Sequence, residues 1–347
     1  MKTRILPCWL PPSADRDSVI DPAPRAPCAD DVRWVERTAA QITSGLDKKD
    51  ATKPQIAFFG GSIAAVPPKL RRTLLDVAGA FVKRRKAKSI RVTLGPADCT
   101  AALLKELRIA GVRTVELEAA SFDDEALLAS GFGHRGAAIS KAIDALRAAK
   151  METGVVLRPG LPGSMPGESL RSAKRAIELA PDFVRIYPVL VLAGSKLEHL
   201  YESRRYRPLS LDEGIALCRD LLVLFDAAEI PVVRIGFQPA VDLDGGATVL
   251  AGPHHPALRA IIEASLWYDR MAKLIADHFR FQKELTLIAH PRDESRVRGQ
   301  QGASLKRLKE KFRLEKLTLV LDESAEPGSI LLALPAAAGM PARRVAG

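Results

Sequence analysis

Pro181-Asp182-Phe183-Val184-Arg185-Ile186-Tyr187-Pro188 is a short apolar run bounded by prolines, with one arginine set between β-branched residues. A run this short and this rich in β-branched and aromatic residues reads as a buried strand rather than a helix. The same device recurs in Ile90-Arg91-Val92 and Val233-Arg234-Ile235. Side chains alternate between the two faces of a strand, so each arginine points away from its aliphatic neighbours. With helices covering the apolar face, the arginines face the inside of the sheet. There they either bind an anionic ligand or pair with acids such as Glu116, and the sequence leaves both readings open.

Outward from these words the chain alternates strand and helix. Strands are expected at 4–10, 55–59, 89–94, 114–118, 154–158, 183–187 and 232–236. Helices are expected at 31–45, 69–85, 101–110, 123–149, 169–179 and 211–228. Parallel strands need crossover helices, so this alternation predicts an α/β protein with a parallel sheet. Its fold class is a (β/α)6 partial barrel, with a doubly wound sheet as the alternative. Either form places a site at the carboxyl ends of the strands. Those ends carry Gly60-Gly61-Ser62, Glu116, Glu118, Arg158, Arg185, Tyr187, Arg234 and Gln238. Glu116 and Glu118, two apart, would share a face as a carboxylate pair or as partners for arginines.

The pattern changes after the last of these strands. The organisation expected is a barrel over 1–240, a loop and long connecting helix over 241–282, a basic unit over 283–334 and a disordered tail over 335–347. The basic unit reads strand 284–289, helix 292–297, Gly299-Gln300-Gln301-Gly302, helix 304–312 and strand 316–321. A βααβ order with a GxxG turn between the helices is that of a minimal KH-type RNA-binding core, whose turn clamps nucleotide backbone. Glycines permit close backbone approach, and the following helix N-terminus attracts phosphate. From Arg280 to Lys316 there are eleven Lys and Arg against five Asp and Glu. The candidate RNA-binding residues are Gly299, Gln300, Gln301, Gly302, Lys306 and Arg307. A structural hairpin with a solvated basic face is the competing reading.

The formal charge of the 347-residue chain is +11, which favours polyanions and anionic substrates without fixing the fold. Its four cysteines, Cys8, Cys28, Cys99 and Cys218, contain no C-x-x-C pair, as expected of reduced thiols in a cytoplasmic protein. No apolar run approaches the roughly 20 residues of a membrane span, and the segment before Pro11 is too short for a signal sequence. Adjacent His254 and His255 diverge and lack a third ligand at useful spacing, so no metal is expected there.

Several of these words resemble a known family. The 181–188 stretch, Tyr206-Arg207-Pro208-Leu209-Ser210-Leu211, Val233-Arg234-Ile235-Gly236-Phe237-Gln238 and Gly252-Pro253-His254-His255-Pro256 are similar to signature stretches of radical SAM proteins. The group resembled is that of the elongator catalytic subunit and oxygen-independent coproporphyrinogen oxidase. Gly60-Gly61-Ser62, Asp123-Asp124-Glu125 and Leu161-Pro162-Gly163 fall where that group has its own short motifs. The resemblance covers roughly residues 4–330. It implies a (β/α)6 horseshoe, S-adenosylmethionine, and a [4Fe–4S] cluster on three cysteines spaced C-x3-C-x2-C after the first strand. Thiolates suit iron because they are soft, charged ligands.

In this chain the corresponding positions are Asp15, Val19 and Pro22. Valine and proline have no ligating side chain, and Cys8 and Cys28 provide two thiolates where three are needed. The family's Gln at the end of the fourth strand is Ala120, and a Gly before it is Glu118. The family's Arg-Gly-His-Thr word has become Phe132-Gly133-His134-Arg135, and the third-strand word, Thr93-Leu94-Gly95-Pro96-Ala97-Asp98, lacks its arginine. The resemblance assigns Gly60-Gly61-Ser62 to the methionine amino group, whereas a tight βα turn explains the same residues without a ligand. The cofactor-binding candidates are Gly60, Gly61, Ser62, Glu116, Arg185, Arg234 and Gln238; no catalytic or metal-ligating residue is assigned.

Two functions follow. One is a degenerate radical SAM protein without its own cluster, with no cofactor expected, acting by binding RNA or a partner such as an intact paralogue. The other is an enzyme using S-adenosylmethionine with an atypical cluster or changed chemistry.

Overall fold

The computed structural model describes residues 4–10, 18–20, 31–46, 52–237, 248–278, 283–334 and 343–346. The chain divides into two compact units, Met1–Pro256 and Ala257–Gly347.

The first unit is built on seven parallel strands. They are β1 (Ile5–Trp9), β2 (Gln55–Phe59), β3 (Ser89–Leu94), β4 (Val112–Ala120), β5 (Glu152–Leu157), β6 (Phe183–Ile186) and β8 (Val232–Ile235), adjacent in that order. Helices fill the crossovers: α1 (Asp31–Leu46), α2 (Pro68–Lys83), α3 (Ala101–Ile109), α4 (Asp124–Ala129), α5 (Gly136–Ala148), α6 (Glu168–Glu178), α7 (Lys196–Glu202) and α8 (Leu211–Ala227). Six crossovers join the seven strands, and the sheet curls into the expected half-barrel. The curl is visible in side chains: the Arg185 guanidinium on β6 lies 5.4 Å from the Phe59 ring on β2, across the concave face.

Local signals explain several helix starts. Thr100 caps α3 through the Leu103 N–H, and Asp123 caps α4 through the N–H groups of Glu125 and Ala126. Ser210 and Glu213 form a reciprocal capping box at α8. The single helical stretch expected over 123–149 is two helices, because Ser130-Gly131-Phe132-Gly133 breaks it: Gly131 has φ +71°. A two-stranded ribbon of β7 (Val191–Leu192) and β9 (Val249–Ala251) was not foreseen.

The second unit contains α9 (Leu258–His278), β10 (Glu284–Ala289), α10 (Glu294–Arg298), α11 (Ala303–Lys311), β11 (Lys316–Leu321), β12 (Ile330–Leu334) and β13 (Arg343–Ala346). Its sheet runs β11-β10-β12-β13, with β10 and β11 parallel and the other pairs antiparallel. The helix read as a connector belongs here, since Trp267, Met271, Leu274 and Ile275 share a core with Leu287, Val297, Leu308 and Leu332. The tail expected to be disordered contributes β13, which pairs with the edge of β12; residues 335–342 lie outside the described residues.

Candidate functional site

The half-barrel lumen is lined by the residues that alternate with the aliphatic ones. Glu116 on β4 is buried, and its carboxylate accepts from Arg91 Nη1 on β3 at 2.6 Å and meets Arg185 Nη1 on β6 at 2.9 Å. Gln55 on β2 accepts from Arg91 Nε at 2.6 Å and donates to Ser89 Oγ and Thr114 Oγ1. Arg185 also donates to Tyr187 Oη at 2.9 Å. The Phe183 ring lies 4.7 Å from the Arg91 guanidinium, and a Cβ on Gly154 would sit 2.1 Å from that ring. Glycine is required in β5 because Phe183 occupies the space a side chain would take.

Nearer the strand ends, Arg158 makes a two-pronged bond to Glu118, Nε to Oε1 at 2.8 Å and Nη2 to Oε2 at 2.9 Å. Arg158 and Arg234 both approach the Tyr187 ring, at 6.0 and 5.9 Å. Arg91 and Arg185 both make the ion pair with Glu116 that the pairing reading expected. Glu116 and Glu118 do share the lumen face, each engaged by arginine rather than by the other. Desolvating such charges is tolerated only where the partners are this close and well hydrogen-bonded.

The turn after β2 stands at the rim. Gly60 and Gly61 have φ of +103° and +137°, the region that favours glycine. Ser62 Oγ donates to Asp98 Oδ2 at 2.8 Å and accepts from the Ala64 N–H. Asp98 also accepts from the Gly95 N–H, tying the β2 and β3 turns together. Of the cofactor candidates, Glu116, Arg185 and Arg234 come together in the lumen, Gly60, Gly61 and Ser62 stand at the β2 rim, and Gln238 lies outside the described residues. Gln55, Phe59 and Phe183 were missed; a glutamine heading the otherwise apolar strand Gln55-Ile56-Ala57-Phe58-Phe59 was the available signal.

The resemblance calls for three thiolates at the mouth of this lumen, and the donors present can be tested against that. A Cβ on Gly45 of α1 would lie 2.7 Å from the Leu6 side chain, so Leu6 faces the helix layer. Cys8, two residues on, shares that face and pairs in register with the buried Phe58. Its thiol is fully buried there, and burial pushes its pKa up to about 12. Trp9, on the other face, meets the Phe59 ring at 6.1 Å. Val19 packs with Ala120, Leu127, Leu161 and Leu197. Its N–H donates to the Ser130 carbonyl, and its own carbonyl accepts from the Leu197 N–H. Asp15, Pro22 and Cys28 lie outside the described residues. Among the described residues no three His, Cys, Asp or Glu side chains are grouped to hold a metal, so the described donors by themselves do not make up an iron–sulfur ligand set. His254 is exposed. His134 Nε2 lies 3.2 Å from the Ala119 carbonyl, and burial lowers its pKa.

In the second unit the GxxG turn links α10 to α11. Gly299 and Gly302 have φ of +68° and +76°, and Gln301 between them has φ +50°. A Cβ on Gly299 would lie 2.4 Å from Ser304 Oγ, whereas Gly302 faces open space. Gln300, Gln301, Lys306 and Lys309 are exposed. Arg307 is stacked on Tyr268, its guanidinium 4.4 Å from the ring. Lys283 pairs with Glu315, Arg298 with Glu294, and Arg296 with Glu263 and Asp293. Lys306 and Lys309, one helical turn apart, form no ion pair among the described residues.

Residues 181–268 match the Radical_SAM C-terminal domain. Three curated relatives carry the name tRNA uridine(34) acetyltransferase. The one from Dehalococcoides mccartyi is 29% identical over 158 residues, 44% of this chain and 34% of that protein. The one from Methanocaldococcus infernus is 25% identical over 135 residues, 38% of this chain and 25% of that protein. The matches thus span between a quarter and about a third of the length of these two relatives. Among solved structures, the archaeal Methanocaldococcus infernus Elp3 with an N-terminal deletion aligns at a TM-score of 0.58 and 19% identity, over 76% of this chain and 62% of that one. That likeness concerns the fold. The resemblance to radical SAM proteins is borne out by the matched domain.

Proposed function

We propose that this radical SAM relative acts by binding RNA through its basic second unit, with a barrel that carries no iron–sulfur cluster of its own. The observation that carries the binding half is the Gly299–Gly302 turn. It leads directly into a helix whose start has no side-chain cap, next to two exposed, unpaired lysines on one face. Backbone N–H groups at a helix start and nearby ammonium groups suit phosphate. The relatives' name supports tRNA as the class of RNA. The absence of a cluster is supported by Cys8 turned into the helix layer and by Val19 packed where the family has a thiolate. An active enzyme with an atypical cluster would have to draw on Cys8, which its place in β1 opposes. Radical chemistry would then belong to a partner such as an intact paralogue, in the cytoplasm.

Filter binding of bulk tRNA to the full chain over a series of salt concentrations tests this reading. Affinity should fall steeply with salt, the logarithm of the constant losing, for each tenfold rise in salt, about 0.7 per phosphate contact for single strands and about 0.9 for duplex. Gly302→Asp combined with Lys306→Glu should weaken binding at least about tenfold. A Cβ at Gly302 would meet open space, and although its φ of +76° strains any side chain, aspartate adopts the left-handed region more readily than most residues. Unchanged affinity in a folded double variant would show that the second unit is not the RNA surface.

A further inference from the structure

A groove of about 680 Å³ runs between α3 and α5 on the outer surface of the barrel unit. Alanines make it: Ala101 from α3 and Ala145, Ala148 and Ala149 from α5 are too small to close the gap between the helices, and Leu104 lies buried below. Ile109, at the end of α3, is 75% exposed at its edge. Four cations line it, Lys105, Arg108, Arg113 and Lys150, and no carboxylate does. Among the described residues none of the four forms an ion pair. Elsewhere on the same helices two ion pairs form, Arg71 with Glu106 of α3 and Arg147 with Asp144 of α5. Two of the cations are also held in place. Arg108 Nη1 donates to the Lys150 carbonyl at 2.6 Å, and Arg113 Nη1 donates to the carbonyls of Arg108 and Val112 at 2.8 Å. A guanidinium has five N–H donors, so both retain donors for a further acceptor.

We propose that this groove docks an acidic amphipathic helix of a partner protein, aliphatic side chains on the alanine floor and Ile109, carboxylates on the four cations. The chemistry of the lining selects this occupant. An apolar trough beside α3, a helix of nine residues and therefore about 13 Å long, matches two to three turns of a helix laid in a groove. RNA would gain its phosphate contacts but find no aromatic platform on which to stack bases. A lipid surface takes up protruding apolar side chains, whereas this apolar surface is concave.

The test is fluorescence anisotropy of the full chain with a labelled, helix-forming peptide of leucine and glutamate in heptad spacing. Three comparisons accompany it: polyglutamate, the same peptide with serine for leucine, and bulk tRNA as competitor. The expected result is saturable binding that weakens at least about tenfold with Ile109→Asp and separately with Lys105→Glu plus Lys150→Glu. Serine substitution in the peptide should abolish it. These positions are exposed, and unchanged thermal unfolding would confirm that the variants fold. Equal binding of polyglutamate, displacement of the peptide by tRNA, or binding that ignores Ile109→Asp would each overturn the proposal. So would no peptide binding beside Ile109-dependent binding of phosphatidylserine vesicles.

Discussion

Glu116 holds two guanidinium groups at once, Arg91 at 2.6 Å and Arg185 at 2.9 Å, in a position almost closed to water. Removing its charge would strand two buried cations, and breaking a buried pair from one side costs about 3–5 kcal/mol. Urea unfolding of Glu116→Gln should show a loss of that order, and a loss under about 1 kcal/mol would mean the lumen rehydrates on mutation. The buried thiols give a pH prediction. Burial raises Cys8, Cys99 and Cys218 from 9.0 to about 12, so the folded chain keeps protons that the unfolded chain releases. Stability from these groups is present below pH 9 and is lost as pH rises from 9 toward 12. Denaturation followed over that range should give a shallower decline for Cys8→Ala than for the parent chain. At this scale the sequence showed that the arginines alternate with aliphatic residues and so face the lumen. It did not show that Phe59 and Phe183 would cover them, because those partners lie on strands that only curvature brings near.

At the scale of elements, β2, β3, β10 and β11 have the boundaries their apolar runs predicted, since each run is bounded by turn residues. The α8 helix begins where Ser210-Leu211-Asp212-Glu213 writes a capping box, and Ser210→Ala should cost about 1 kcal/mol in a thermal or urea unfolding experiment. The β7–β9 ribbon was not legible because two-residue strands leave no periodicity, and the pairing spans a long stretch of chain. The sequence placed a strand at 154–158 without a reason for its glycine; Gly154 makes room for Phe183 over Arg91. Gly154→Ala should therefore destabilise by about 1–3 kcal/mol through overpacking. A neutral Gly154→Ala would mean that Phe183 can leave its place without loss.

On the scale of the whole molecule, a parallel half-barrel and a separate basic unit carry different parts of the account. No helix among the described residues is long and apolar enough to cross a membrane. The barrel was legible because seven strands and their crossovers repeat one pattern, and because the strand-end words match a family. The boundary of the second unit was less so, because a long amphipathic helix reads alike whether it bridges two bodies or packs into one. The candidate lumen residues were legible as a set, while their mutual pairing needed the fold. The central proposal is that the barrel keeps the fold without the family's metal cluster, supported by Cys8 facing the helices and by the resemblance, which sets Val19 where the family has a thiolate. Anaerobic reconstitution of the full chain with iron and sulfide, followed by desalting and assay of both per chain, tests it most directly. The account predicts that no stoichiometric iron is retained and that no charge-transfer absorbance appears. About four irons per chain, with that absorbance, would contradict it.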